Sequence, residues 1–166
     1  VMNTLTRIRI AAIAVGVLFG LATGIGGYTF IYARGGSYLT NDPKACANCH
    51  IMQDHYDAWV KSSHRSVATC NDCHTPHALI PKYIVKAESG YHHVTAFTFG
   101  NIPVNIRAKE STKDVVQENC IRCHQATVAD IADGQMDADR YCFECHRTVA
   151  HGERGVSILP YQDQSK

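Results

Sequence analysis

The sequence predicts a mostly α-helical protein, built from an N-terminal transmembrane helix and a small second domain with little regular structure. Three observations lead to this fold class. Residues 10–33 contain no Asp, Glu, Lys, Arg or His. The remainder, 34–166, is polar and has no long apolar runs of the kind that form buried strands. Eight cysteines in 166 residues then indicate that disulfides, a metal or a covalent cofactor replaces a conventional apolar core.

The uncharged stretch is long enough to cross a membrane as a helix. At about 1.5 Å per residue it reaches roughly 36 Å, against about 30 Å for a hydrocarbon core. A cleaved signal peptide would have a shorter apolar region and a small-residue cleavage motif, so a retained anchor is favoured. Arg7 and Arg9 precede the stretch and Arg34 follows it, which predicts a cytoplasmic N-terminus. Residues 1–34 then form the N-terminus and the anchor, and residues 35–166 lie on the opposite, periplasmic side.

Two features of the composition bear on partners. The formal net charge of +1 provides no strongly basic surface for nucleic acid, so we expect no nucleic-acid partner. Gly16, Gly20 and Gly24 recur every four residues in the apolar stretch, a spacing that lets two membrane helices approach closely. A homodimer through these glycines is one interpretation, and the ordinary frequency of glycine in single-span anchors is the other.

All eight cysteines lie in four copies of one motif, Cys-x-x-Cys-His. This pattern is typical of c-type haem attachment, in which two thiols form thioethers and the adjacent histidine becomes the proximal iron ligand. The cysteine spacing also matches two zinc sites, but neither zinc nor a disulfide framework requires the four histidines. We therefore predict four covalently bound haem c groups. The attachment residues are Cys46, Cys49, Cys70, Cys73, Cys120, Cys123, Cys142 and Cys145, and the motif histidines are His50, His74, His124 and His146.

The four motifs fall into two pairs, at 46–74 and 120–146, joined by a connection at 75–119. Similar spacing within the pairs is consistent with an internal duplication. Four macrocycles in a domain of this size form the hydrophobic core themselves, so short helices and loops are enough to wrap them. The predicted fold is thus a small tetrahaem c-type cytochrome domain behind a transmembrane helix.

Four irons have eight axial positions, and the motif histidines can take four of them. His64 and His151 lie in loop-like flanks from which a distal ligand can reach another haem, so we predict both as iron ligands. Met52 lies two residues after His50 and is a candidate to replace it, a choice that the spacing alone leaves open. The remaining candidates, interpreted as structural or left open, are His55, His77, His92, His93 and Met136.

These features together resemble the NapC/NirT/NrfH family of membrane-anchored tetrahaem quinol dehydrogenases. Within the family, the likeness is greatest to the NrfH type, the small subunit of cytochrome c nitrite reductase. It covers roughly residues 10–152. The residues that carry it, besides the span and the haem motifs, are Asp-Pro-Lys-Ala at 42–45, Cys-His-Ile-Met at 49–52, Ser63-His64 and Val149-Ala150-His151.

The resemblance implies particular iron ligands. Met52 matches the family methionine at haem one, with His50 displaced from the iron. His64 is expected on haem four and His151 on haem three. These assignments come from the family pattern and not from the spacing.

Two further positions take their meaning from the resemblance. Haem two, held by His74, lacks a sixth ligand in this chain, and in complexes of this family a lysine of the catalytic subunit resembles the missing partner. His93 stands where some members have an aspartate beside haem one. Iron ligation and a hydrogen bond to substrate therefore both stay open for His93.

The function implied by the resemblance is oxidation of menaquinol at the bacterial cytoplasmic membrane, with electrons passed to a periplasmic nitrite reductase catalytic subunit. Residues 81–100 fit an amphipathic helix that has Lys82, Lys86 and His93 away from its apolar side. We expect a quinol pocket between haem one and the helix face that carries Lys86 and His93, near the outer membrane surface. Snorkelling of the lysines towards headgroups is the alternative for these side chains.

The alternative functions are a quinol-oxidising hub for other periplasmic reductases and a membrane-anchored electron carrier without a quinol site.

Overall fold

The computed structural model describes residues 3–103, 106–132 and 140–152. Within these residues all regular structure is helical and no strand occurs, which confirms the predicted mostly α fold class. The chain divides into two compact units, Val1–Ser37 and Tyr38–Lys166. The α-helices are α1 (Thr4–Tyr32), α2 (Pro43–Cys46), α3 (Gln53–Val60), α4 (Cys70–His74), α5 (Leu79–Phe99), α6 (Glu110–Ala132) and α7 (Cys142–Cys145), and short 3-10 helices lie at Gly35–Leu39, His50–Met52 and Ser63–Ser66.

Helix α1 forms most of the first unit and has the length and composition of a membrane span. It contains 29 residues, its mean hydropathy reaches 2.1, and none of its residues is buried within the protein. Asn3 caps its first turn by accepting a hydrogen bond from the Thr6 backbone N–H at 2.8 Å. The hydroxyls of Thr23 and Thr29 donate to backbone carbonyls of the preceding turn, so their polar groups are satisfied within the helix.

Helix α5 matches the amphipathic helix predicted at 81–100 and begins two residues earlier. Pro81 lies in its first turn, where a missing N–H breaks no helical hydrogen bond. Gly100 ends it in the left-handed conformation with φ of 70°, which glycine adopts without strain. The buried residue of α5 is Lys86, whereas its large apolar side chains are exposed, among them Ile84, Tyr91, Val94 and Phe97.

The second unit has no apolar core among its described residues. No hydrophobic side chain there is buried, and the buried side chains are those of Thr75, Lys86 and Asn119, which are 6%, 6% and 7% exposed. A domain of this size ordinarily depends on buried aliphatic and aromatic side chains for its stability. A domain whose core consists of covalently attached macrocycles does not need such buried side chains. The described part of the second unit, which buries none, is consistent with a core of that kind.

The helices that carry the cysteine motifs pack against one another in the second unit. Helix α4 lies against α6 and α2, and α7 lies against α6. Helix α6 carries the third motif and is interrupted at His124, whose backbone has φ of −105° and ψ of 18°. The helix axis therefore changes direction at a motif histidine.

Candidate haem-binding site

The second motif occupies a helix that is fixed at its start. Thr69 caps α4, and the Asp72 carboxylate accepts hydrogen bonds from the Thr69 backbone N–H at 2.8 Å and its hydroxyl at 2.7 Å. Residues three and four apart share a face of a helix, so Cys70, Cys73 and His74 project from the same side. This is the arrangement that two thioethers and a proximal imidazole on one haem require.

The four motifs touch one another in sequence order. The thiols of Cys46 and Cys70, from the first and second motifs, are hydrogen-bonded. The Asn119 side chain, just before the third motif, donates to the backbone carbonyl of Cys73 at 3.0 Å. The Gln117 side-chain oxygen accepts a hydrogen bond at 2.8 Å from the backbone N–H of Cys142, in the fourth motif. The chain thus holds motifs one to four as a connected series.

The thiols themselves are free and suited to attachment. None of the eight cysteines forms a disulfide, and none is fully buried. In the free thiol form, the hydrogen bond with Cys70 lowers the pKa of Cys46 to about 7. Burial and neighbouring thiols raise the pKa of Cys120 to about 11. Among the described residues, no group of three or more His, Cys, Asp or Glu side chains is placed to hold a metal ion.

A cavity beside the second motif collects three of the predicted iron ligands. Cys70, Cys73, His74, His64 and His151 all line it. The His74 and His151 ring centroids are 6.0 Å apart. Desolvation by the neighbouring residues, with smaller effects of His151 and His55, lowers the pKa of His74 to about 4, although part of the His74 side chain is exposed. Burial also lowers the pKa of His151. Both shifts favour the neutral imidazole, the form that binds iron.

The two predicted distal histidines lie beside different motif histidines. His64 is 6.1 Å from His124 between ring centroids, and its Nδ1 lies 3.3 Å from the Val149 carbonyl. His151 lies beside His74. Its ring centroid is 5.3 Å from that of His55, and its Nδ1 lies 3.2 Å from the backbone carbonyl oxygen of His55. The family pattern instead implied haem four for His64 and haem three for His151. Ring proximity is not iron ligation, so these assignments stay predictions.

The remaining predicted ligands occupy the ends of short helices. His50 begins the 3-10 helix that Met52 ends, and both belong to the segment that leads into α3. His146 follows the last residue of α7 and donates its backbone N–H to the Cys142 carbonyl. Met136 lies outside the described residues. His77, interpreted as a surface residue, is exposed.

The two residues predicted to bind quinol lie on α5 and contact the segment before the first motif. The Lys86 amine donates to the Thr40 carbonyl at 2.6 Å and to the Asn41 side-chain oxygen at 3.0 Å. Burial, with a smaller effect of Lys82, lowers the pKa of Lys86. His93 Nδ1 lies 2.8 Å from the Tyr38 hydroxyl. Lys86 and His93 thus attach the same short segment, 38–41, to α5.

Two residues with a role in this geometry were missed by the sequence reasoning. Tyr38 contacts His93, and its own pKa is raised by burial and by the nearby Cys49 and Cys46 thiols, which places it beside the first motif. Asn119 is buried and joins the second and third motifs. Both residues lie outside the motifs but near them in the sequence, which is the only feature that could have drawn attention to them. Tyrosine and asparagine are too common in such positions to indicate a role.

Known proteins resemble this chain in both sequence and structure. Residues 8–155 match the family described as "NapC/NirT cytochrome c family, N-terminal region". The chain is similar to the cytochrome c-type protein NrfH of Wolinella succinogenes, 39% identical over 156 residues, which cover 87% of this chain and 88% of the relative. It is also similar to the cytochrome c nitrite reductase subunit NrfH of Nitratidesulfovibrio vulgaris, 39% identical over 116 residues, covering 70% and 71%. A similar solved structure is the crystal structure of the cytochrome c nitrite reductase NrfHA complex bound to the HQNO inhibitor, with a TM-score of 0.61, 34% identity, and coverage of 87% of this chain and 92% of that chain.

Proposed function

The chain belongs to the NapC/NirT cytochrome c family, and on that premise we propose that it is a membrane-anchored menaquinol dehydrogenase. It passes electrons through four haem c groups to a periplasmic cytochrome c nitrite reductase catalytic subunit, which reduces nitrite to ammonium. The observation that carries this proposal is the similarity to NrfH over most of both chains, together with four Cys-x-x-Cys-His motifs. Residues 1–34 supply the cytoplasmic N-terminus and anchor, and residues 35–166 form the periplasmic domain.

The chain holds the haem groups with the residues that the motifs supply. When bound, haem c supplies transfer of single electrons. The eight motif cysteines would form the thioethers, and His74, His124 and His146 would bind iron from within their own motifs. At the first motif, Met52 would bind iron in place of His50. His64 and His151 would each supply a further iron ligand to another motif.

Lys86 is suited to receive a proton from a quinol. A neutral amine has two N–H groups and one lone pair, and both N–H groups already have acceptors in Thr40 and Asn41. The lone pair is then available as a proton acceptor. The lowered pKa of Lys86 increases the fraction of this neutral form. Lys86 thus reaches the neutral, proton-accepting form at a lower pH than an exposed lysine does.

His93 is the second quinol-binding candidate. It lies seven residues after Lys86, close to two helical turns along α5, so both side chains leave the same side of the helix. An imidazole there donates or accepts a hydrogen bond at a quinol oxygen. If His93 instead ligates iron, the spectrum of the attached haem in a His93→Ala variant will show the loss of a strong-field ligand.

Reduction of the purified full-length protein by a menaquinol analogue tests the proposed function. We expect rapid reduction of the haem absorbance bands, followed by reoxidation when the nitrite reductase catalytic subunit and nitrite are added. Dithionite reduces the protein without a proton acceptor and is the control. Reduction by dithionite but not by the quinol analogue would favour the carrier alternative, and quinol reduction without transfer to nitrite reductase would favour the hub alternative.

Formation of the complex tests the open ligand position at haem two. If a lysine of the catalytic subunit completes the ligation, addition of that subunit will change the spectrum of one haem. An unchanged spectrum in an otherwise active complex would indicate a ligand from this chain, and His151 is the nearest candidate to His74.

Replacement of Lys86 by glutamine tests the proton acceptor. Glutamine keeps two N–H donors for Thr40 and Asn41 but has no basic lone pair. We expect Lys86→Gln to slow quinol oxidation by about 100-fold, a typical contribution of general base catalysis, and to leave dithionite reduction intact. The matched control is Lys82→Gln, one helical turn away on α5. Equal rates for the two variants would remove Lys86 from the mechanism.

A further inference from the structure

Tyr38 and His93 form a contact that the quinol-binding hypothesis does not include. The Tyr38 hydroxyl and His93 Nδ1 are 2.8 Å apart, and the two ring centroids are 6.0 Å apart at 43°. The contact occupies Nδ1 and leaves Nε2 on the opposite edge of the ring. His93 is otherwise exposed, so the tyrosine hydroxyl is the polar contact that restrains its ring.

Tyr38 is itself held in place on α5. Its ring lies over Gly90, where an added Cβ would come 3.6 Å from the nearest ring carbon. Gly90 and His93 are three residues apart, so they share one face of the helix. Lys86 binds the segment that follows Tyr38, through the backbone carbonyl of Thr40 and the side-chain oxygen of Asn41. Tyr38 is therefore a fixed partner for a side chain that would otherwise rotate.

We propose that Tyr38 is a positioning residue, which holds His93 Nδ1 and so presents Nε2 as the nitrogen that acts at the site. This inference rests on the proposed function, because the site is the proposed quinol site beside the first motif. A tyrosine hydroxyl both donates and accepts, so the contact persists whichever ring nitrogen carries the proton. The same restraint serves either role of His93, as a hydrogen-bond partner of the quinol or as an iron ligand. Without it, the exposed imidazole samples several rotamers and Nε2 is misplaced.

The first measurement is a double-mutant cycle read by binding of HQNO to the purified full-length protein. Tyr38→Phe removes one oxygen, and we expect it to weaken HQNO binding by about 10-fold, typical of losing a group that orients a functional histidine. In a His93→Ala background, the same change should have no further effect, because Tyr38 acts through His93. Equal losses in both backgrounds would show that Tyr38 is merely structural and would overturn the proposal.

The matched control is Tyr83→Phe. Tyr83 also lies on α5 and its hydroxyl donates to the Leu39 carbonyl at 3.5 Å, so its loss perturbs the same segment without touching His93. We expect parental HQNO affinity for this variant. If Tyr38→Phe fails to accumulate with four haems, Gly90→Val replaces it in the cycle. A Cβ at Gly90 would already be in van der Waals contact with the Tyr38 ring at 3.6 Å, so we expect two further methyl groups to displace the ring while its hydroxyl is retained.

A second readout does not depend on quinol binding. In the reduced protein with ¹⁵N-labelled histidine, the His93 ring signals are identified by their loss in His93→Ala. Tyr38→Phe should shift these signals, and Tyr83→Phe should leave them unchanged. Unshifted His93 signals in Tyr38→Phe would overturn the positioning role. If the parent protein neither binds HQNO nor oxidises quinol, the proposed function fails, and the ring signals still decide whether Tyr38 restrains His93.

Discussion

The helix α1 and the unit from Tyr38 onward obtain their structure in opposite ways. Helix α1 satisfies its backbone internally over 29 residues and buries none of its side chains within the protein. The second unit combines two longer helices, α5 and α6, with several short ones, and its buried residues in the described ranges are Thr75, Lys86 and Asn119. A membrane helix is specified by length and apolar composition alone. On the proposed function, the second unit depends on haem groups attached to its cysteines, and polar contacts join the motifs to one another.

The largest expected effect of breaking this dependence comes from removing one attachment site. We expect Cys70→Ser combined with Cys73→Ser to lower the intact mass by one haem and to make the second unit sensitive to protease. Ordering each residue costs about 1–2 kcal/mol, and no buried apolar side chain in the described part of this unit offsets the loss. Helix α1 should remain in the membrane, as measured by resistance to alkaline extraction.

The control for this variant is a substitution in α1. A Cβ added at Gly26 would meet no atom within 4 Å, so Gly26→Ala should change neither haem content nor protease resistance. A cysteine variant that kept parental protease resistance with three haems would show that the chain folds without the second haem. The contrast between the two units would then be wrong.

A smaller effect, confined to single haems, is expected from the distal histidines. His64→Ala and His151→Ala should each convert one low-spin haem to a form with an open or weak-field position, because each removes a strong-field imidazole. The double variant should show two such haems, since the two rings lie beside different motif histidines. Electron paramagnetic resonance of the oxidised protein counts them.

His77→Ala is the control for the distal ligands. His77 is exposed and follows the second motif closely, so its removal should leave every haem low-spin. Parental spectra for both His64→Ala and His151→Ala, with a changed spectrum for His77→Ala, would show that His77 had been wrongly rejected as a ligand.

Sequence reasoning succeeded where the determinants are local. The absence of charge over residues 10–33 predicted α1, and the apolar periodicity predicted α5. The pattern did not reveal that Lys86 is buried on α5 while Phe97 is exposed, because burial depends on which segment packs against the helix. The contact between Tyr38 and His93 joins residues 55 apart, and no local pattern specifies it.

The smallest expected effect concerns the polar contacts that join motifs. The Asn119 amide donates to the carbonyls of Cys73 and Thr75, each at 3.0 Å, and is 7% exposed. Asn119→Ala leaves the buried Thr75 carbonyl and the half-buried Cys73 carbonyl without this donor, which should lower the free energy of unfolding by about 2 kcal/mol. Gln117→Ala loses one hydrogen bond in a half-buried position and should cost about 1 kcal/mol. Denaturation by guanidinium, followed by far-ultraviolet circular dichroism, measures both against Gln125→Ala, an exposed position on the same helix. If covalent haem supplies most of the core, as proposed, all three variants should retain four haems. A loss of haem in Asn119→Ala would mean that the polar contacts, and not the attached groups, determine the structure of the second unit.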